Sequence, residues 1–383
     1  MYIHQKQIEN LQQLLAPGKV VVLYGARRVG KTTLIKKFVE NYLRENPSEA
    51  SRVLLVNGDD IVVRQFLESQ SIQKLKDFVG DHSLLVIDEA QYVTQIGLNL
   101  KLLVDHVPHL KIIATGSSSF DLAKDIGEPL TGRKYVLKLF PLAQMEISQI
   151  EKPHETSANL ESRLLWGTYP EAVILADNRR REEFLRELVS SYLLKDILEL
   201  EGIRHSNKLV QLLQLLAFQI GKEASLNELG TQLGMSKNTV ERYMDLLEKV
   251  FVIYQLSAFS RNLRKEITKS HRYYFHDLGI RNALIGNFNP LALRNDVGQL
   301  WENYIITERL KRQEYLRQFT QFYFWRTYDQ KEIDLVEERE GKLFGYEMKW
   351  QHQPAKAPKD WQAAYPEASF QIVHRENYLN FLQ

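Results

Sequence analysis

The sequence predicts an α/β protein: a parallel sheet over residues 1–150, a helical region over 151–290, and a second mixed α/β region over 291–383. Three observations carry this. Short β-branched runs at 20–24, 53–57, 84–87, 111–115 and 134–139 alternate with helical periodicity. Strands interleaved with helices imply βαβ units and a parallel sheet. From 151 onward, after a polar junction at 151–157, the pattern is mostly helical. Strand-like runs then return at 321–325, 333–337 and 343–349, and Pro354 and Pro358 interrupt the pattern before a last α/β stretch.

Composition narrows the function classes. At 44% hydrophobic and 10% aromatic residues the chain can build cores and is not a disordered tract. It has no cysteine, which excludes disulfides, thiolate nucleophiles and cysteine-ligated metal centres. A formal net charge of +2 means that any nucleic-acid surface has to be a local patch. The first residues show no signal-peptide pattern, and the apolar runs are too short to span a bilayer. The expectation is a soluble, cytoplasmic protein with no membrane association.

The first chemistry-bearing segment is Gly25-Ala26-Arg27-Arg28-Val29-Gly30-Lys31-Thr32, which fits G-x-x-x-x-G-K-[ST] between a strand and an amphipathic helix. Glycines let the backbone curl so that successive N–H groups face phosphate oxygens at a helix N-terminus. These eight residues and Thr33 are the expected ATP-binding set. Lys31 would reach the β- and γ-phosphates, and the Thr32 hydroxyl would ligate Mg2+.

The second segment is Leu84-Leu85-Val86-Ile87-Asp88-Glu89, a buried-strand pattern ending in two carboxylates. Ligands of parallel sheets bind at the carboxyl ends of strands. Asp88 would hold Mg2+ directly or through water, and Glu89 would orient and polarise an attacking water. A helix cap is the competing role. The third segment, Lys111-Ile112-Ile113-Ala114-Thr115-Gly116-Ser117-Ser118-Ser119, ends a strand in hydroxyls. Ser117 or Ser118 would either sense the γ-phosphate or cap a helix starting near Phe120.

With these segments in place, the first 150 residues resemble an AAA+ ATPase core of the ASCE type, in which Glu89 follows a Walker B Asp88. More narrowly, Thr115-Gly116-Ser117-Ser118, Leu130-Thr131-Gly132-Arg133 and Phe140-Pro141-Leu142 are similar to a family of bacterial and archaeal ATPases that carry a C-terminal domain of unknown function. So are Gly167-Thr168-Tyr169-Pro170-Glu171 and Tyr274-Phe275-His276-Asp277-Leu278-Gly279-Ile280-Arg281-Asn282. The resemblance implies ATP and Mg2+ as cofactors and an arginine that contacts the γ-phosphate in cis or from a neighbouring copy. Arg133 is the candidate, with an ordinary surface ion pair as its alternative. The resemblance also implies a homo-oligomer, with a hexameric ring as one form.

In the helical region, residues 225–240 read as a helix–turn–helix inside a winged-helix unit at about 205–280. Ser225 caps the first helix, Gly234 makes the turn, and Ser236 caps the second helix. Val240, Tyr243, Met244 and Leu247 form its core stripe, leaving Lys237, Asn238, Thr239 and Arg242 on the other face. That is the layout of a recognition helix for a major groove. Residues 250–275 would form the wing. Between 260 and 281, Arg261, Arg264, Lys265, Lys269, Arg272 and Arg281 outnumber Glu266 and Asp277, a candidate phosphate-contact surface. Winged helices also dock proteins, and that alternative stays open.

Near the C-terminus, Asp334 and the pair Glu347 and Lys349 lie on adjacent strand patterns, and period 2 puts Glu347 and Lys349 on one face. Glu302 sits early in a helical pattern upstream. The set Glu302, Asp334, Glu347 and Lys349 resembles the PD-(D/E)xK nuclease motif, with Ile333 where a proline is usual. The resemblance implies a restriction-endonuclease-like fold with a shared divalent cation. A cross-strand ion pair in a binding module is the alternative reading.

Three functions are therefore expected to compete. One is an ATPase that remodels or moves along DNA. The second is an ATP-dependent switch that binds a protein partner or operator DNA. The third is an ATP-gated, metal-dependent nuclease.

Overall fold

Five strands form the first sheet: β1 (Val20–Gly25), β2 (Val53–Asn57), β3 (Leu84–Asp88), β4 (Lys111–Gly116) and β5 (Lys134–Leu139). The computed structural model describes residues 2–117, 129–193, 206–260, 271–327 and 329–382. All neighbouring pairs in this sheet are parallel, in the order β2-β3-β4-β1-β5. The order explains the sequence pattern. Strands β1 and β3 are interior, are buried at every position and read as unbroken apolar runs. Strands β2 and β5 are edges, so polar and exposed positions enter them.

Helices α1 (Gln7–Leu14), α2 (Lys31–Glu45), α3 (Ile61–Leu67), α4 (Ile72–Val79) and α5 (Ile96–His106) accompany this sheet. Leu75, Val79, Ile96, Leu100 and Leu103 pack with Val20, Val22, Leu85, Ile87 and Ile112 in one apolar core. Each such side chain contributes roughly 1.5–3 kcal/mol by leaving water.

The described residues divide into two units, 2–140 with 249–251, and 141–248 with 252–383. The polar junction expected at 151–157 is not a bare linker. Pro153–Ala158 is a short helix, and Glu151 pairs with the buried Arg163.

The second unit contains α6 (Leu160–Trp166), α7 (Ser206–Phe218), α8 (Leu226–Leu233), α9 (Lys237–Lys249), α10 (Leu278–Ile285), α11 (Val297–Tyr315), α12 (Lys359–Ala364) and α13 (Tyr378–Leu382). Its strands are β6 (Glu223–Ala224), β7 (Ile253–Ala258), β8 (His271–Phe275), β9 (Gln321–Arg326), β10 (Glu332–Arg339), β11 (Lys342–Met348) and β12 (Ser369–Val373). They make one sheet in the order β12-β11-β10-β9-β7-β8-β6. The β7–β9 and β11–β12 pairs are parallel, and the others are antiparallel. The two regions that the sequence reading separates at 290 thus share a sheet, joined where Ser257 and Ala258 pair with Tyr323 and Phe324. Phe259, Trp325, Ile333, Val336, Leu343 and Trp361 form a core on it.

Two of the family-like segments turn out to brace each other. Asp277 caps α10, accepting from the Ile280 N–H at 3.1 Å, and its other oxygen accepts from the Thr168 N–H at 2.7 Å. Gly167 has φ +70°, and a Cβ there would sit 2.1 Å from Asp277 Oδ1, so only glycine fits. Burial pushes the Asp277 carboxyl above its usual pKa, opposed by the Thr168 N–H and by Lys311. Asn282 donates to the Leu164 and Leu165 carbonyls at 3.0 and 2.9 Å, tying α10 to α6. Among the described residues no helix is long and apolar enough to cross a membrane.

Candidate functional site

The chain turns sharply after β1 because Gly25 ends the strand under the Leu139 carbonyl and Gly30 adopts φ +101°. A Cβ on Gly25 would fall 2.2 Å from the Leu139 oxygen. Arg28 is held at φ +65°, a left-handed conformation that a side-chain-bearing residue seldom adopts. Gln5 supports the loop from outside by donating to the Val29 carbonyl at 3.1 Å. Helix α2 starts at Lys31 with no acidic residue in its first turn, so nothing on the helix neutralises the positive end of its dipole. Lys31 is buried and donates to the Gly25 and Ala26 carbonyls at 2.8 and 2.9 Å. Of the other loop residues, Val29 is buried, Ala26 and Arg27 are half-buried, and Arg28, Thr32 and Thr33 are exposed.

Strand β4 lies between β1 and β3, and all three present their carboxyl ends at the same edge. There the Thr32 hydroxyl donates to Asp88 Oδ2 at 2.8 Å. Thr115, at the end of β4 and fully buried, donates to Asp88 Oδ1. The Glu89 N–H bonds the Thr115 hydroxyl at 3.2 Å, and Glu89 itself has φ +53°. Gln91 donates to the Glu89 carboxylate while its carbonyl accepts from the Ser117 N–H at 3.2 Å. One hydroxyl and one carboxylate side by side suit Mg2+, which keeps most of its shell for water and phosphate oxygens.

The structure therefore brings Lys31, Thr32, Asp88, Glu89 and Ser117 to one edge. Ser118 lies outside the described residues. Thr115 and Gln91 are contributions that the sequence reading left without a role. Thr115 precedes the serines in the same motif, but only the pairing of β4 with β3 shows that it faces Asp88.

Arg133 is not brought to this edge. It precedes β5, where Val20 pairs with Lys134, at the opposite end of the strands from Gly25. Six strand residues separate the two levels, about 20 Å. Its guanidinium pairs with Asp105 at 2.8 Å on the surface. This corrects the expectation of a γ-phosphate contact in cis.

In the second unit, α8 and α9 meet at Gly234, which has φ +62°, and Ser236 accepts from the Thr239 N–H at 3.2 Å. Val240, Tyr243, Met244 and Leu247 are buried, while Lys237, Asn238 and Arg242 are exposed and Thr239 is half-buried. Glu241 and Asp245 are exposed on the same helix. Arg261, Arg264, Lys265 and Lys269 lie outside the described residues. Arg272 is not a surface DNA contact, contrary to expectation: it is 4% exposed and points into a carboxylate cluster. Arg281 is buried as well, donating to the Ala217 carbonyl and pairing with Asp296.

That cluster gathers the C-terminal candidates. Arg272 Nη2 donates to Glu332 at 2.5 Å, and Nη1 lies 3.6 Å from Glu302 and 3.7 Å from Asp334. Tyr274 donates to Glu302 at 2.6 Å, and the Met348 N–H donates to Asp334 at 2.8 Å. Asn303 bonds both the N–H and the carbonyl of Phe275, at 2.7 and 2.8 Å, which sets Glu302 beside β8. Burial raises the Glu302 and Asp334 carboxyls, and for Asp334 the neighbouring Glu302 and Glu347 add to it. Lys349 pairs with Glu347 at 2.7 Å. Burial disfavours the Lys349 charge, but Glu347 outweighs this and raises its pKa. These residues do not fit a divalent ion. A guanidinium already stands between the acids, and among the described residues no group of three or more His, Asp or Glu is arranged to hold a metal.

Three stretches of the chain match known protein families. Residues 17–148 match the family described as AAA domain. Residues 157–291 and 297–379 match two families described as domains of unknown function (DUF8612 and DUF4143). An uncharacterized protein of Mycobacterium tuberculosis is 27% identical over 348 residues, covering 88% of this chain and 72% of the relative. An uncharacterized ATP-binding protein of Methanocaldococcus jannaschii is 48% identical over 44 residues, 11% of this chain and 75% of the relative. Among solved structures, the Aeropyrum pernix ORC2 protein in its ADPNP-ADP complexes is 13% identical, with a TM-score of 0.44, over 75% of this chain and 94% of that one. Residues 17–148, the stretch that carries the phosphate loop and the parallel sheet, thus resemble an AAA domain.

Proposed function

We propose that this protein is a magnesium-dependent ATPase that couples its nucleotide cycle to DNA. The single observation that carries the first part is the convergence of Lys31, Thr32, Asp88 and Glu89 at the ends of β1 and β3, closed by the 2.8 Å bond from Thr32 to Asp88. Lys31 neutralises phosphate charge, and the N–H groups of the loop and of the first turn of α2 bind phosphate oxygens. Thr32 and Asp88 would hold Mg2+, which supplies charge neutralisation at the phosphates when bound. Glu89 orients a water for in-line attack on the γ-phosphate and takes its proton, with Gln91 fixing the direction of the carboxylate. Ser117 stands next to that carboxylate through Gln91 and is the candidate sensor.

The DNA part rests on α8 and α9, read as a winged helix–turn–helix, with Lys237, Asn238 and Arg242 exposed. A second reading has its own support: Glu241 and Asp245 share that exposed surface, a mixed charge pattern that suits a protein partner and a nucleotide-dependent switch. Arg133, remote from its own phosphate loop, would act only on nucleotide held by a neighbouring copy, as in a homo-oligomeric ring.

Steady-state hydrolysis with Mg2+ and a panel of no nucleic acid, single-stranded, duplex and four-way DNA separates the readings. Several-fold stimulation by one DNA form is expected. An active enzyme indifferent to every DNA form would replace the DNA reading with the switch.

A further inference from the structure

The geometry points to an arginine-centred charge lock in the C-terminal region: Arg272 takes the place that a divalent cation would hold among Glu302, Glu332 and Asp334, and the cluster braces the sheet instead of cutting nucleic acid.

The chain itself supplies the cation. Arg272 is 4% exposed, its guanidinium lies 4.6 Å over the Phe324 ring, and its nitrogens reach acids from α11 and β10. Strands β7 and β9 stand between β8 and β10, so this side chain spans two intervening strands. A metal ion would have to share this volume with a guanidinium, which never loses its charge, and the repulsion is strong in a buried site.

Two of the three acids have a second partner, while Glu332 is 43% exposed and bonds Arg272. One Asp334 oxygen accepts from the Met348 N–H, Glu302 accepts from Tyr274, and Glu347 turns to Lys349. Lys349 is paired with Glu347 at 2.7 Å. What remains is a structural link from β8, following the helix–turn–helix, to α11 and β10. Removing the buried Arg272 charge leaves the buried Asp334 and the largely buried Glu302 uncompensated.

Two measurements on the full chain test this. The first is Mn2+ binding, by electron paramagnetic resonance without nucleotide, in Asp88→Asn, which removes the carboxylate of the P-loop site. No stoichiometric binding is expected. One bound Mn2+ that disappears in Asp88→Asn/Asp334→Asn would overturn the inference. The second is thermal unfolding of Arg272→Met, Arg272→Lys and Arg272→Met/Asp334→Asn. Arg272→Met should lose roughly 5–10 °C, Arg272→Lys less, and Asp334→Asn should return part of the loss by removing a stranded charge. Strict additivity of the two changes would contradict the lock.

Discussion

At the end of β3, Asp88 and Glu89 face hydroxyls, an amide and a phosphate loop, whereas at the β8–β10 cluster Glu302, Glu332 and Asp334 face a guanidinium. Both sites gather carboxylates with a basic residue, and both resemble metal-dependent phosphate chemistry in sequence. They differ in what stands opposite the acids. Thr32 and Thr115 are neutral donors that position Asp88 without cancelling its charge. Arg272 cancels charge permanently and fills the centre. Acid spacing alone therefore does not mark a metal site; the absence of a fixed cation among the acids has to be established as well.

The largest effect that sharpens this comparison is expected from Lys31→Ala. It removes the phosphate-loop ammonium, and both nucleotide binding, followed by a fluorescent ATP analogue, and hydrolysis should be lost. Retained binding with full turnover would place nucleotide elsewhere. A middle-sized effect belongs to Thr115→Val, which keeps shape and deletes the hydroxyl beside Asp88. The Mg2+ concentration for half-maximal hydrolysis should rise about 10-fold, the usual cost of losing a partner that orients a metal ligand. An unchanged Mg2+ requirement would mean that the Thr115 hydroxyl does not orient Asp88 for the metal. The smallest effect is that of Arg133→Ala in dilute protein. Its exposed pair with Asp105 contributes about 0–1 kcal/mol, so stability by denaturant titration should hardly move. Basal turnover should stay level too. A large loss of basal turnover in dilute protein would restore Arg133 as a group acting on its own nucleotide.

Much of the P-loop unit was legible in the residues. Strands β1 and β3 were visible because interior parallel strands are buried along their length and read as apolar runs, and the loop because glycines and a lysine follow one of them. The turn at Gly234 and the caps at Ser225 and Ser236 were equally local signals. Long-range pairings were not legible. Nothing near Arg272 says that it will reach residues 302, 332 and 334, and a basic stretch on a predicted wing reads as surface. Nothing near Arg133 reveals which end of β5 faces the loop until β5 is paired with β1. The segments at 167–171 and 274–282 carried no visible chemistry because their purpose is mutual: Asp277 closes over Gly167 and Thr168.

The central claim is that the acids at the end of β3 turn over ATP. Its most direct test is ATP hydrolysis by wild type and Glu89→Gln, with bound nucleotide measured in the same samples. The account predicts that Glu89→Gln still binds ATP and hydrolyses it about 100-fold more slowly or worse, the scale of a lost general base. Hydrolysis at the wild-type rate by Glu89→Gln would contradict it.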